Sequence, residues 1–344
     1  MPGMFLGFPF DEELFLLNWQ NAVDPTRTAL LNSGAITQSS EIRNLISNGG
    51  NLYTIPFYNV LGGKEENYDG QTNSVPEATT GSAQTGVVWG RMKSWKAQDF
   101  VIDFNSGADP MQQITSQVAK YWQKKSQASL IQILNGIFGI TDDGSEAWDA
   151  WSLHTNNIAA TGNTVAEGNK VGETTAGETA QKACGDNAGI FSLAVMHSKV
   201  AMGLAAKQLL QFRKYTDPLG IERTLNIADW NGYTVLVDDG VPVTASTATG
   251  EKNYTTYLFG NGSILTAPAS VKNPAEIGRD RLTAGGYDYL VTRKRETLHP
   301  NGFSFVLPTG VVSPTNDQLG TAANWKLAGV DPKAIAISRI ISNG

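Results

Sequence analysis

Tyr53-Thr-Ile-Pro-Phe-Tyr58 and Val87-Val-Trp-Gly-Arg-Met92 are two apolar, strand-like runs that enclose about 25 mostly polar residues, Gly62 to Gly86. The enclosed span carries Gly62-Gly63, Asp69-Gly70, Gly81 and Gly86, which punctuate turns and build no core. Residues 51 to about 95 therefore read as one long polar hairpin. A helix is expected soon after it. Asp109-Pro110 is an N-cap with Pro at the first helical position. Ile114, Val118, Tyr121 and Trp122 recur at helical spacing, and Leu130, Ile131, Leu134, Ile137 and Phe138 resume it. At about 1.5 Å per residue the helix spans roughly 45 Å, with Gly136 and Gly139 expected to fray its end. Long structureless loops inside one domain are uncommon and usually functional. A loop that cannot bury itself is most simply held by a neighbouring subunit. The stem residues Ile55, Phe57, Tyr58, Val87, Val88 and Trp89 alternate, so each strand would offer one face to its own domain and one to a neighbour.

Composition narrows the possibilities. At 344 residues, two or three modules are expected. Apolar residues at 41% suffice for real cores, while charged residues at 17% fall below the roughly 25% of ordinary globular chains. With 36 glycines, the chain suits extended strands and loops pressed on protein surfaces. A net charge of −6 argues against nucleic acid as the main ligand, because phosphate neutralisation demands Lys and Arg. The one dense basic run, Arg293-Lys294-Arg295, is too short for a polyanion groove and reads as salt-bridged or solvated. The single cysteine, Cys184, excludes an intramolecular disulfide and a Cys-cluster metal site, and is expected to be a buried, inert thiol. No apolar run reaches membrane-spanning length. The apolar start, Met1 to Phe10, lacks a basic region and is no signal peptide.

The rest of the chain mixes helices and strands without regular alternation, which is α+β. Short helices are expected from Asp24 to about Asn32, from Glu41 to Ser47 and from Thr175 to Cys184, and a longer one from a Ser198 cap to Phe212. Strands are expected at 99–104, 190–196 and 233–237, the last ending in the Asp238-Asp239-Gly240 turn. Tyr254-Thr-Thr-Tyr-Leu-Phe259, Gly260-Asn-Gly262 and Ser263-Ile-Leu-Thr-Ala267 read as a hairpin. Tyr287–Thr292 and Phe303–Val306 read as further strands, and Ala334–Ile341 as a last strand or helix.

Catalytic constellations are missing. His154, His197 and His299 are far apart and form no metal-ligand pattern. Asp238-Asp239 before Gly reads as a turn, with no calcium-loop spacing after it. There is no phosphate loop, nucleophile elbow or dinucleotide fingerprint. No catalytic, cofactor or metal residue is assigned, and no enzyme is expected.

The order of elements is arm, polar hairpin, long helix, strand-then-helix unit, β-rich region and final return. It resembles the major capsid proteins of tailed phages, the Hong Kong 97-like coat fold. Ala194-Val-Met-His-Ser198 before a helix is similar to that family's strand-to-helix junction. Gly232-Tyr-Thr-Val-Leu-Val-Asp-Asp-Gly-Val-Pro242, Tyr254–Gly260, Arg279–Arg293 and Leu298-His-Pro-Asn-Gly-Phe303 resemble its β segments. Residues 190–306 carry the resemblance well and 50–140 by pattern only, while 141–172 match nothing.

The resemblance implies a virion protein with an N-terminal arm at 1–50 and an extended hairpin loop at 51–98. A peripheral domain would take 99–224 with its spine helix at 109–138, an axial domain 225–325, and a C-terminal return 326–344. Many copies, as pentamers and hexamers, would close into an icosahedral shell around double-stranded DNA held without sequence-specific contacts. Partners would be a portal, a separate scaffolding protein and, in some relatives, a decoration protein, with no cofactor and no membrane. Inter-subunit contacts are expected at Lys64, Glu65, Glu66, Tyr58 and Trp89. Some relatives cut off an N-terminal scaffolding domain; with about 50 residues before the hairpin, none is expected here. Others cross-link a hairpin Lys to a neighbour's Asn. Lys64 is the one lysine in the tip, and Glu65-Glu66 beside it make a salt bridge the expected role. An encapsulin-like shell shares the fold, and a β-rich adhesin fits the Thr, Asn and Trp content, but the latter lacks a signal peptide.

Overall fold

The computed structural model describes residues 3–5, 8–10, 34–47, 49–58, 65–69, 71, 73, 76, 81–98, 110–216, 222–248 and 250–344. In chain order the first half carries β1 (Gly3–Phe5), β2 (Phe8–Phe10), β3 (Ile36–Gln38), α1 (Ser40–Ser47), β4 (Leu52–Tyr58), β5 (Gly81–Val87), β6 (Trp89–Gln98), α2 (Pro110–Phe138), α3 (Glu146–Ser152) and β7 (Thr155–Asn157). There follow α4 (Thr175–Cys184), β8 (Phe191–Met196), α5 (Ser198–Ala206), β9 (Gln211–Thr216), β10 (Glu222–Trp230), β11 (Tyr233–Val237) and β12 (Val243–Ala245). The last third holds β13 (Lys252–Gly260), β14 (Ile264–Ala269), β15 (Ala275–Asp280), β16 (Tyr287–Pro300), β17 (Phe303–Phe305), α6 (Asn316–Gly320), β18 (Trp325–Leu327) and β19 (Ile337–Ser342). The helix expected from Asp24, the strand expected at 99–104 and most of the hairpin tip lie outside the described residues.

The long helix α2 joins two sheets. Its 29 residues bury Val118, Trp122, Leu130, Ile133, Leu134, Ile137 and Phe138. Each such Leu or Ile contributes about 1.5–3 kcal/mol relative to exposure. The polar middle has partners too. Ser126 donates to Glu296 and accepts from Lys294 Nζ, while the Gln127 amide donates to Asp238. Gly136 does not fray the end. It is buried where α2 crosses α6 and β18, and a Cβ there would lie 2.5 Å from Trp325 Nε1 and 2.6 Å from Leu319 O.

One sheet is built on β16. All ten residues of β6 pair with Tyr287–Glu296 along one edge; β15 and then β14 flank the other, and β3 adds parallel to β14. Thr292 accepts from Trp122 Nε1 at 3.0 Å, so this face of β16 lies against α2.

The second sheet has the order β7-β19-β13-β8-β11-β10-β9, with β12 on β13; β8–β11 and β7–β19 are its parallel pairs. Its central strands are buried on both faces, which explains their unbroken apolar runs. Leu193 and Val195 pack in the core that holds α2 and Trp151, while Ala194 and Met196 pack with α4 and α5. The expected boundary at residue 225 runs through this sheet, whose strands come from both sides of it, and β16 belongs with α2. Residues 141–172 supply α3, the edge strand β7 and Trp151 to this unit.

Three further expectations are corrected. First, 254–259 and 263–267 are not a hairpin, because β13 and β14 lie in different sheets. The chain changes sheet at Gly260–Gly262. A Cβ on Gly260 would meet Ile190 O at 2.5 Å, Gly262 has φ +68°, and Gly262 N donates to Gly34 O at 2.8 Å. Second, the helix after β8 is capped by His197 and stops at Ala206, where Gln208 turns the backbone to φ 59°; Phe212 then pairs with Ala228. Third, β4 pairs with Gly81–Val87, and Trp89 begins a strand of the other sheet.

Candidate assembly interface

The hairpin is anchored at its base by a buried polar network. Tyr53 lies flat over Gly86, where a Cβ would come within 2.2 Å of its ring. Only glycine permits that approach. Thr297 Oγ1 donates to Val87 O at 2.8 Å, so the Tyr53 hydroxyl, also 2.8 Å away, donates to Thr297. Gln84 Oε1 accepts from Gly302 N and from His299 Nε2, both at 3.0 Å, and Gln84 Nε2 donates to Asn301 Oδ1. These bonds set the His299 tautomer with its proton on Nε2. Burial pushes His299 down to about 4 and the Tyr53 hydroxyl upward. Sequence reasoning missed Gln84 and Thr297, because a Gln and a Thr inside polar runs carry no signal of burial.

Beyond this base the hairpin turns outward. Tyr58 is 86% exposed and Leu52 47%, on the same side of β4. Further on, Glu65, Glu66 and Tyr68 are exposed, and Asp69 closes a local turn by accepting from Gln71 N at 2.8 Å. An aromatic, an aliphatic and two carboxylates thus face outward at Tyr58, Leu52, Glu65 and Glu66. Lys64 lies outside the described residues. Trp89 is a correction. It is 1% exposed and packs in its own chain's core with Val87 and Leu134. At Val88 the chain passes from pairing with β4 to pairing with β16, and that step turns Trp89 inward.

The candidate reactive groups are occupied structurally. His154 is buried, bonded through Nδ1 to Ile337 O at 2.8 Å and stacked on Trp151, with burial lowering its pKa. His197 Nδ1 caps α5 by accepting from Lys199 N at 3.0 Å. Cys184 is fully buried, which pushes its thiol up to about 11. Asp238 accepts from Gly240 N and Asp239 from Ser198 N, so both are turn and cap residues. Arg293 pairs with Glu276, Lys294 with Glu296, and Arg295 donates to Gly50 O and Asn51. Among the described residues no group of three or more His, Cys, Asp or Glu could hold a metal ion, and no helix is long and apolar enough to cross a membrane.

No family model matches the chain. It is 28% identical over 313 residues to the major capsid protein of Bacillus phage SPP1, covering 90% of this chain and 89% of that one. Its fold is similar to a chain of the cyanophage Pam1 capsid asymmetric unit (TM-score 0.55, 12% identity, 93% of each chain). It is similar also to the capsid chain of a native GTA particle (TM-score 0.55, 15% identity, 94% and 92% of the two chains). Sequence kinship across nine-tenths of the length and a shared architecture over the same span agree: the chain is a homologue of a phage major capsid protein and has the Hong Kong 97-like fold of phage capsid chains.

Proposed function

We propose that the chain is the repeating subunit of a phage head, closing as pentamers and hexamers into an icosahedral shell around double-stranded DNA. The observation that carries this reading is the kinship with a phage major capsid protein over about nine-tenths of both chains. The hairpin supports it. Its base is tied to β16, and its outer side presents Leu52 and Tyr58, which the chain itself leaves uncovered. In the shell these residues, with Glu65 and Glu66 and with Lys64 at the tip, lie on an adjacent subunit. No catalytic role is assigned. A portal and a separate scaffolding protein complete the assembly. The test is negative-stain microscopy of the expressed full chain, alone and with the scaffolding protein of its phage. Closed shells of uniform size are expected. A chain that sediments as a monomer under every assembly condition would refute the proposal.

A further inference from the structure

The acidic total conceals a strongly one-sided distribution of charge. Residues 89–98 and 110–141 contain Arg91, Lys93, Lys96, Lys120, Lys124 and Lys125 and no Asp or Glu. Five of these sit on the α2-bearing side of the β16 sheet, and one of the five, Arg91, is taken up by a bond to Asn316 Oδ1. Lys93 is opposite Thr292 in register, and Thr292 faces α2 through its bond with Trp122. Residues directly opposite in a ladder share a face, so Lys93 flanks the helix. On α2 itself Trp122 turns toward the sheet, which places Lys120 and Lys124, each two residues away, on the outward side. They are one turn apart, about 6 Å along the axis, and Lys125 stands beside them over the Tyr121 ring. All four lysines are exposed, and among the described residues none forms an ion pair.

Among the described residues, the acids that reach this side are already engaged. Glu296 is bonded to Lys294 and Ser126, Asp288 is buried against Arg279, and Asp238 at the flank takes Gln127 and Gly240. The opposite face of the same sheet does balance its charge, as in the Arg293–Glu276 pair. Like charges one turn apart weaken a helix. A row of lysines with no acid within residues 110–141, and with no described acid left free beside it, suits negative charge from outside the chain.

We infer that Lys93, Lys120, Lys124 and Lys125 form the face that meets the phosphate backbone of the packaged duplex. This rests on the shell reading above. Contacts from lysine ammonium groups to phosphate read no sequence. Four per subunit bind weakly one at a time and strongly only over many subunits, which suits DNA that must slide inward as it is packed.

The test compares full-length wild type with Lys93→Gln/Lys120→Gln/Lys124→Gln/Lys125→Gln, and with a control of equal charge, Lys182→Gln/Lys252→Gln/Lys326→Gln/Lys333→Gln. Shell formation is scored by microscopy. Subunits dissociated from shells are titrated against a fluorescent 30-base-pair duplex across a range of salt concentrations. Each phosphate contact contributes about 0.9 to the slope of log affinity against log salt. The expected result is normal shells, at least tenfold weaker duplex binding and a slope lower by about 3.6 for the first variant, with little change for the control. Unchanged affinity and slope, or an equal loss in the control, would overturn the inference. So would malformed shells with undiminished duplex binding, which would assign the face to a protein partner. A wild type that forms no shells would instead bring down the shell reading itself, and this inference with it.

Discussion

Gly136→Ala sets two opposed effects against each other at one helix position. Inside a helix, Ala is favoured over Gly by about 1 kcal/mol. At Gly136, however, the new methyl would lie 2.5 Å from Trp325 Nε1 and 2.6 Å from Leu319 O. Normal contact needs about 1 Å more on both sides. Leu319 O is backbone and cannot rotate away, and Trp325 is held by its own bond from Nε1 to Leu319 O at 2.8 Å. Overpacking of this kind costs about 1–3 kcal/mol, and a buried indole N–H pulled off its acceptor costs about 1–3 more. The packing loss wins, and a net destabilisation of about 2–4 kcal/mol is expected. Gly177 is the internal control. It lies in α4 with no atom within 4 Å of a built Cβ, so Gly177→Ala should stabilise by up to about 1 kcal/mol. Urea unfolding of dissociated subunits at 25 °C reads both. If Gly136→Ala is as stable as wild type or more so, the close α2–α6 crossing is not as described.

Three further outcomes are expected. His299 is held neutral in the fold at about 4 and takes a proton near 6.5 when unfolded, so stability falls as pH drops from about 6.5 to 4. The loss reaches about 3 kcal/mol, and urea midpoints of His299→Gln should vary less over that window; parallel profiles would refute the assignment. Trp89→Ala, which empties a core site, should cost about 3–5 kcal/mol and give insoluble subunits before any assembly defect; soluble, stable subunits would return Trp89 to the surface. Cys184 should resist thiol reagents at pH 8 until the chain unfolds, and rapid labelling of folded subunits would contradict its burial.

What could be read before folding was what local patterns carry. The helix at 110–138, the helix at 175–184 and the strands at 191–196 and 233–237 announced themselves through caps, apolar spacing and turns. Pairing did not. Val87–Met92 looks like one strand, and only the switch of partner at Val88 separates the hairpin stem from β6 and turns Trp89 inward. Gly260-Asn-Gly262 has hairpin composition, but positive φ and close backbone approach serve a sheet-to-sheet crossing equally well. Gln84 lies 215 positions from its partner His299, and Thr297 lies 210 from its partner Val87. No local pattern connects them. The outward Tyr58 followed from simple alternation along β4, which needs no partner to be known.

The single residue between β5 and β6 also has a mechanical meaning. Tension on the hairpin passes through Val88 straight into a strand whose ten residues are all laddered to β16. Drawn lengthwise, such a ladder shares the load among its rungs at once; drawn sideways, it opens rung by rung. A pull on the hairpin from outside would therefore fall on the longest ladder among the described residues and reach β16 before any loop.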